Sequence, residues 1–87
     1  MPFVYSLRKF SDLSDHGNAL ASNDAEALNQ IRDYRRWNNA ADLPFQLSND
    51  PQSDYFMGRR NAIPSTHGPG WMNDPRGPVE TIFVSVR

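Results

Sequence analysis

Residues 58–78 read GRRNAIPSTHGPGWMNDPRGP and form the sharpest candidate segment for chemistry in this chain. Arg59 and Arg60 are adjacent, His67 and Trp71 flank the turn Gly68-Pro69-Gly70, and Arg76 follows. Two guanidinium groups, an imidazole and an indole in one segment can stack a base or clamp a phosphate or carboxylate. Tyr55, just upstream, extends the aromatic set. A competing assignment makes Trp71 the anchor of the segment on a thin core, because Trp carries the largest apolar surface on offer, and leaves the arginines in solvent.

A second group is Arg35, Arg36 and Trp37. Trp37 lies off the apolar stripe of the helix that contains it, and Trp and Arg are enriched among the residues that dominate interface energy. The alternative is that the long segment after the helix folds back over it. A third group is acidic: from Ser11 to Ala27 the charged residues are Asp12, Asp15, Asp24 and Glu26. If they share a face, that face can mimic nucleic-acid charge against a basic groove.

Catalysis has weaker support. Ser65, Thr66 and Asp74 lie near His67 in sequence, but a triad needs a nucleophile, a base and an orienting acid held by a rigid scaffold. A phosphoester or sugar reaction through His67, with Arg59 or Arg60 on a phosphate, ranks below the binding readings. His16 and His67 are far apart and the aspartates are scattered, which matches neither zinc nor EF-hand spacing. Gly68-Pro69-Gly70 lacks the Lys and helix of a phosphate loop, and its proline removes an N–H donor. Neither metal nor cofactor is expected.

Positioning these groups falls to a few elements. Phe3 to Phe10 sets Phe3, Tyr5 and Leu7 against Val4, Ser6 and Arg8, the period of a half-buried strand. Thr81 to Val86 is the most β-prone run, with Ile82, Val84 and Val86 on one side and Phe83 on the other, so it reads as a central strand. Asn23 as cap and Glu26 three residues on open a helix over residues 24–38, free of Gly and Pro, with Ala27, Leu28, Ile31, Tyr34 and Asn38 in one stripe. Residues 11–22 read as a polar connection.

Residues 39–78 show no sustained periodicity and hold ten of the twelve Gly and Pro residues. They are expected to form a long irregular loop, with Leu43–Leu47 and Tyr55–Met57 as short edge strands or plugs; Pro44 confines the first to an edge. The expected fold is a single α+β domain. Its two terminal strands pair, the helix covers one face of a small sheet, and the loop crosses the other face or an edge.

At 87 residues the core is thin, and the 38% hydrophobic content suggests marginal stability or a fold completed by a partner. The net charge of −1 gives no global pull toward nucleic acid, and eight of the nine basic residues are Arg. There is no cysteine, hence no disulfide, and no apolar run long enough for a signal peptide or membrane span, so a soluble cytoplasmic protein is expected. The leading expectation is a non-enzymatic protein-interaction module, in the manner of the small inhibitors that phages and mobile elements direct at larger host complexes. The alternative is a single-stranded RNA or DNA binder using Tyr55, Arg59, Arg60, Trp71 and His67. A homodimer through the edge of the C-terminal strand is a further option.

Overall fold

The computed structural model describes residues 2–38, 44–77 and 79–86. Seven elements follow one another: β1 (Phe3–Lys9), β2 (Asp15–Ala21), α1 (Asp24–Trp37), β3 (Phe45–Ser48), β4 (Tyr55–Pro64), β5 (Trp71–Asn73) and β6 (Glu80–Val86). All pairings are antiparallel, in the order β2-β1-β4-β6-β3, and β5 pairs with the far end of β4. This is a small α+β domain, one helix with a six-stranded antiparallel sheet. None of its described helices is long and apolar enough to cross a membrane.

The helix forms where its local signals place it. Asn23 is extended and its side chain accepts the Glu26 backbone N–H at 2.9 Å, satisfying a donor that the first turn leaves unpaired. The Glu26 carboxylate reaches back to the N–H of Ser22 rather than to that of the cap residue. Acidic residues open the helix and Arg35 and Arg36 close it, in keeping with its dipole. α1 takes the chain from β2 at one edge of the sheet to β3 at the other. Its Ala27, Leu28 and Ile31 share one buried cluster with Tyr5 and Leu7 of β1, Met57 of β4 and Val84 of β6. Tyr34, expected in the same stripe, is 62% exposed, and Asn38 is exposed as well.

Three expectations need correction. Residues 15–21 are an edge strand, not a connection. Their alanines and glycine have little β-propensity, but small residues are what close packing under a helix needs. A Cβ on Gly17, whose φ is +138°, would stand 2.9 Å from Ile31 Cγ2. Nor do the terminal strands pair with each other: β4 lies between them, bonded to β1 on one side and β6 on the other. β6 is thus flanked by β4 and, over residues 83–86, by β3, and the outer edges belong to β2 and the short β3.

The third correction concerns the expected loop. It contains β3, β5 and the longest strand, β4. Tyr55, Met57 and Arg59 alternate toward the helix side, but an arginine at an inward position and Gly58 beside it hide the pattern. The edge placement of β3 after Pro44 holds. Leu43 and the rest of residues 39–43, along with Pro78, lie outside the described residues.

Candidate interaction surface

Strand pleating gives the sheet two faces with different chemistry. On the α1 face, both amino groups of Arg59 are engaged. One of its amino groups donates to Asp24 Oδ1 at 3.2 Å, the other pairs with Glu80, and the guanidinium carbon lies 4.8 Å from the centre of the Phe3 ring. Tyr5 donates its hydroxyl to the same Asp24 oxygen at 2.7 Å. Burial and then that carboxylate push the Tyr5 phenol up to about 12. This cluster ties the start of α1 to three strands.

Arg60, one residue on, points to the opposite face and has no hydrogen-bond or ion-pair partner among the described residues. Around it lies a groove of about 420 Å³. Ser6 and Gly58, paired across β1 and β4, form its floor, and Arg8 and Arg60 stand at its two ends. Asn18 of β2 and Asn73 of β5 form walls, and Val4, Phe56 and Val79 supply apolar surface. No acidic residue is among the described residues lining it.

The groove has depth because β4 continues past the end of its pairing with β6 and turns into β5. The hairpin is closed by the Ser65 N–H on the Gly70 carbonyl, and the return passes through Asp74, whose N–H bonds the Asn61 carbonyl. Val79 then lies over Gly58, its Cγ1 at 3.4 Å from where a Cβ would be. An adjoining notch of about 350 Å³ is lined by Val4, Leu20, Gly70 and Trp71, with Trp71 48% exposed. Beyond the Arg8 end, Phe10 stacks on Phe56 with ring centres 4.5 Å apart and on Phe83 at 6.4 Å. Phe10 remains 43% exposed.

The sequence-derived candidates separate on this frame. Arg60 and Trp71 belong to the groove and its notch. Arg59 is held on the α1 face and Tyr55 is buried against Phe45 and His16, so neither is available to a partner in this arrangement. His67 sits at the exposed hairpin tip, and Arg76 is turned onto Asp74, whose carboxyl the Arg76 backbone N–H holds below its usual range. Trp37 is 85% exposed at the end of α1 beside Arg36, away from the hairpin.

The four acids fall into two separate pairs. Asp12 and Asp15 cap the turn between β1 and β2, Asp12 lowered by the Ser14 N–H, while Asp24 and Glu26 lie at the start of α1, the length of β2 away. At about 3.3 Å per residue that strand separates the two pairs by roughly 20 Å. Asp24 is also committed to Arg59 and Tyr5.

A second cavity, about 520 Å³, opens between β2 and the end of α1, where a bulge between Leu7 and Arg8 turns His16 toward the helix. His16 Nδ1 is 3.1 Å from Arg35 Nη1 and its Nε2 is 3.0 Å from Ser14 Oγ. A guanidinium only donates, so Nδ1 accepts, and Nε2 carries the proton that it gives to Ser14. That is the reverse of a base drawing a proton from serine. Burial, then the Arg35 charge, hold the imidazole below its ordinary value and favour the neutral ring. Arg35 also lies 6.0 Å above the Phe45 ring, so it braces the fold. Among the described residues no three His, Asp or Glu side chains converge as a metal site requires.

Sequence reasoning missed Arg8, Phe10 and Phe83 as surface residues. The signal was present, since Arg8 and Phe83 both fall on the second side of strands correctly identified. Their convergence depended on β4 lying between those strands. Comparison of the chain with protein-family models, curated protein sequences and solved structures finds no match.

Proposed function

We propose that the protein is a non-enzymatic interaction module that docks on a larger protein or complex, as a small inhibitor does, through the sheet face opposite α1. The observation that carries this reading is the joining on one face of half-exposed apolar groups, Phe10, Leu20, Trp71 and Val79, with an acid-free groove between two arginines. Contiguous exposed apolar surface rimmed by polar groups is characteristic of interaction sites. Aromatic and Arg side chains are those that carry interface energy.

Single-stranded nucleic acid is the second reading, favoured by aromatics and arginines on an open antiparallel sheet, which is how some RNA-binding sheets stack bases. Two features weigh against it. The chain is net negative, and Phe10 and Phe56 stack on each other, leaving less ring face for a base.

The test is affinity capture from lysate with and without nuclease, at low salt and at about 0.5 M salt, where phosphate contacts weaken steeply. Wild type is run beside a Phe10→Ala, Trp71→Ala double variant. The module reading expects a protein that survives nuclease and salt and is lost with the double variant. Nucleic acid released by salt would replace it with the second reading.

A further inference from the structure

From the spacing of Arg8 and Arg60 we infer that the groove takes an extended acidic segment of a partner protein, with carboxylates at two positions four residues apart. The inference rests on the interaction-module reading. β1 and β4 are antiparallel, with Val4 opposite Arg60 and Arg8 opposite Phe56. The two arginines are therefore four residue steps apart along the strands, about 13 Å at the usual strand rise. An extended peptide laid along the groove repeats the same rise, and its residues i and i+4 project to one side. Each then meets one guanidinium.

The geometry between the two charges also suits a peptide. Gly58 presents no side chain, so a backbone can approach the floor at Ser6, and the amides of Asn18 and Asn73 offer a donor and an acceptor on either wall. Arg8 spends one N–H on the Leu13 carbonyl at 3.0 Å, which fixes its side chain while leaving the rest of the fork free, and Arg60 is uncommitted. Planar guanidinium groups of this kind bind carboxylates bidentately. The apolar notch at Trp71, next to the Arg60 end, would take an aliphatic residue two positions beyond the second acid, on the same side of the extended segment.

Charge separates this occupant from a polyanion. Two carboxylates need only the local field of two arginines with no acid in the groove. A nucleic acid would bring a continuous line of negative charge to a protein that is itself at −1.

The experiment uses a short fluorescent peptide of Ser and Thr with Glu at i and i+4 and Val two positions after the second Glu. Three controls accompany it: the same peptide with both Glu as Gln, one with Glu at i and i+2, and oligothymidylate. Fluorescence anisotropy is read against wild type, Arg60→Gln and Arg8→Gln, with circular dichroism to show that both variants fold. The expected result is that the i, i+4 peptide binds best and that each variant weakens it about tenfold, the value of a charge-assisted hydrogen bond. Amide shifts in heteronuclear NMR should fall on Ser6 and Gly58.

Equal binding of the Gln peptide, no binding of any peptide, indifference to both variants, or tighter salt-sensitive binding of oligothymidylate would each overturn the inference. If the peptide fails while capture of a protein still depends on Phe10 and Trp71, the inference falls and the module reading stands. If capture fails as well, both fall.

Discussion

The two faces of the sheet treat neighbouring arginines in opposite ways. Arg59 faces α1, where it meets Asp24, Glu80 and the Phe3 ring and becomes part of the structure. Arg60 faces away, into a groove without acid, and is left with its charge unmatched. Nothing in the residue type distinguishes them; strand parity does. An unmatched charge beside exposed rings is therefore informative here in a way that the arginine count is not, because Arg59, the neighbour with a structural task, is supplied with two carboxylates.

This contrast can be tested from both sides. The largest effect expected is on the α1 face, where Met57 is fully buried in the core. Met57→Ala should cost about 2–5 kcal/mol in urea unfolding, while Thr81→Ala on the other face should stay within about 0.5 kcal/mol. Comparable losses would mean that the second face is packed as a core. Next is Gly17→Ala: its φ of +138° and the 2.9 Å approach to Ile31 predict a loss of about 1–3 kcal/mol. An unchanged midpoint there would show that β2 and α1 are not in close contact.

Acting the other way, Gly58→Ala on the second face should leave stability unchanged or raise it by up to about 1 kcal/mol, since its Cβ has an ordinary distance to Val79 and the backbone no unusual φ. It should weaken docking in the groove. Stability lost with docking unchanged would contradict the placement of the groove floor.

The smallest effect expected is a pH dependence. Because His16 is held below 6.5 when folded, the unfolded chain takes up its proton first, so the stability contributed by the neutral ring is present above 6.5 and is lost as pH falls toward the folded value. Thermal midpoints measured from about pH 7 down to pH 5 should therefore fall more for wild type than for His16→Gln. Parallel profiles would remove His16 from the brace between β2 and α1.

The helix and both terminal strands were legible because each is specified locally: a cap at Asn23, an apolar stripe at Ala27, Leu28 and Ile31, and alternation in Phe3, Tyr5 and Leu7. β2 and β4 were not. Gly17, Ala19 and Ala21 look like a connection until a helix lies against them, and Arg59 breaks an apolar alternation that its ion pairs and ring contact restore in three dimensions. Of the residues lining the proposed surface, Arg60 and Trp71 were singled out from type alone. Arg8 and Phe83 required knowing that β4 separates the first and last strands, a pairing between distant segments that no local pattern encodes. Asp24 and Tyr55 were also singled out from type, and the groups that engage them in this structure lie far away in sequence.

The most direct test sets Arg59→Gln beside Arg60→Gln, each measured for urea unfolding and for capture of the partner. Arg59→Gln is expected to lose about 1 kcal/mol of stability, the value of a partly exposed ion-pair cluster, and to keep its partner once folded. Arg60→Gln is expected to unfold like wild type and to lose the partner. A destabilised Arg60→Gln that still binds, or a stable Arg59→Gln that does not, would contradict the division of labour between the two faces.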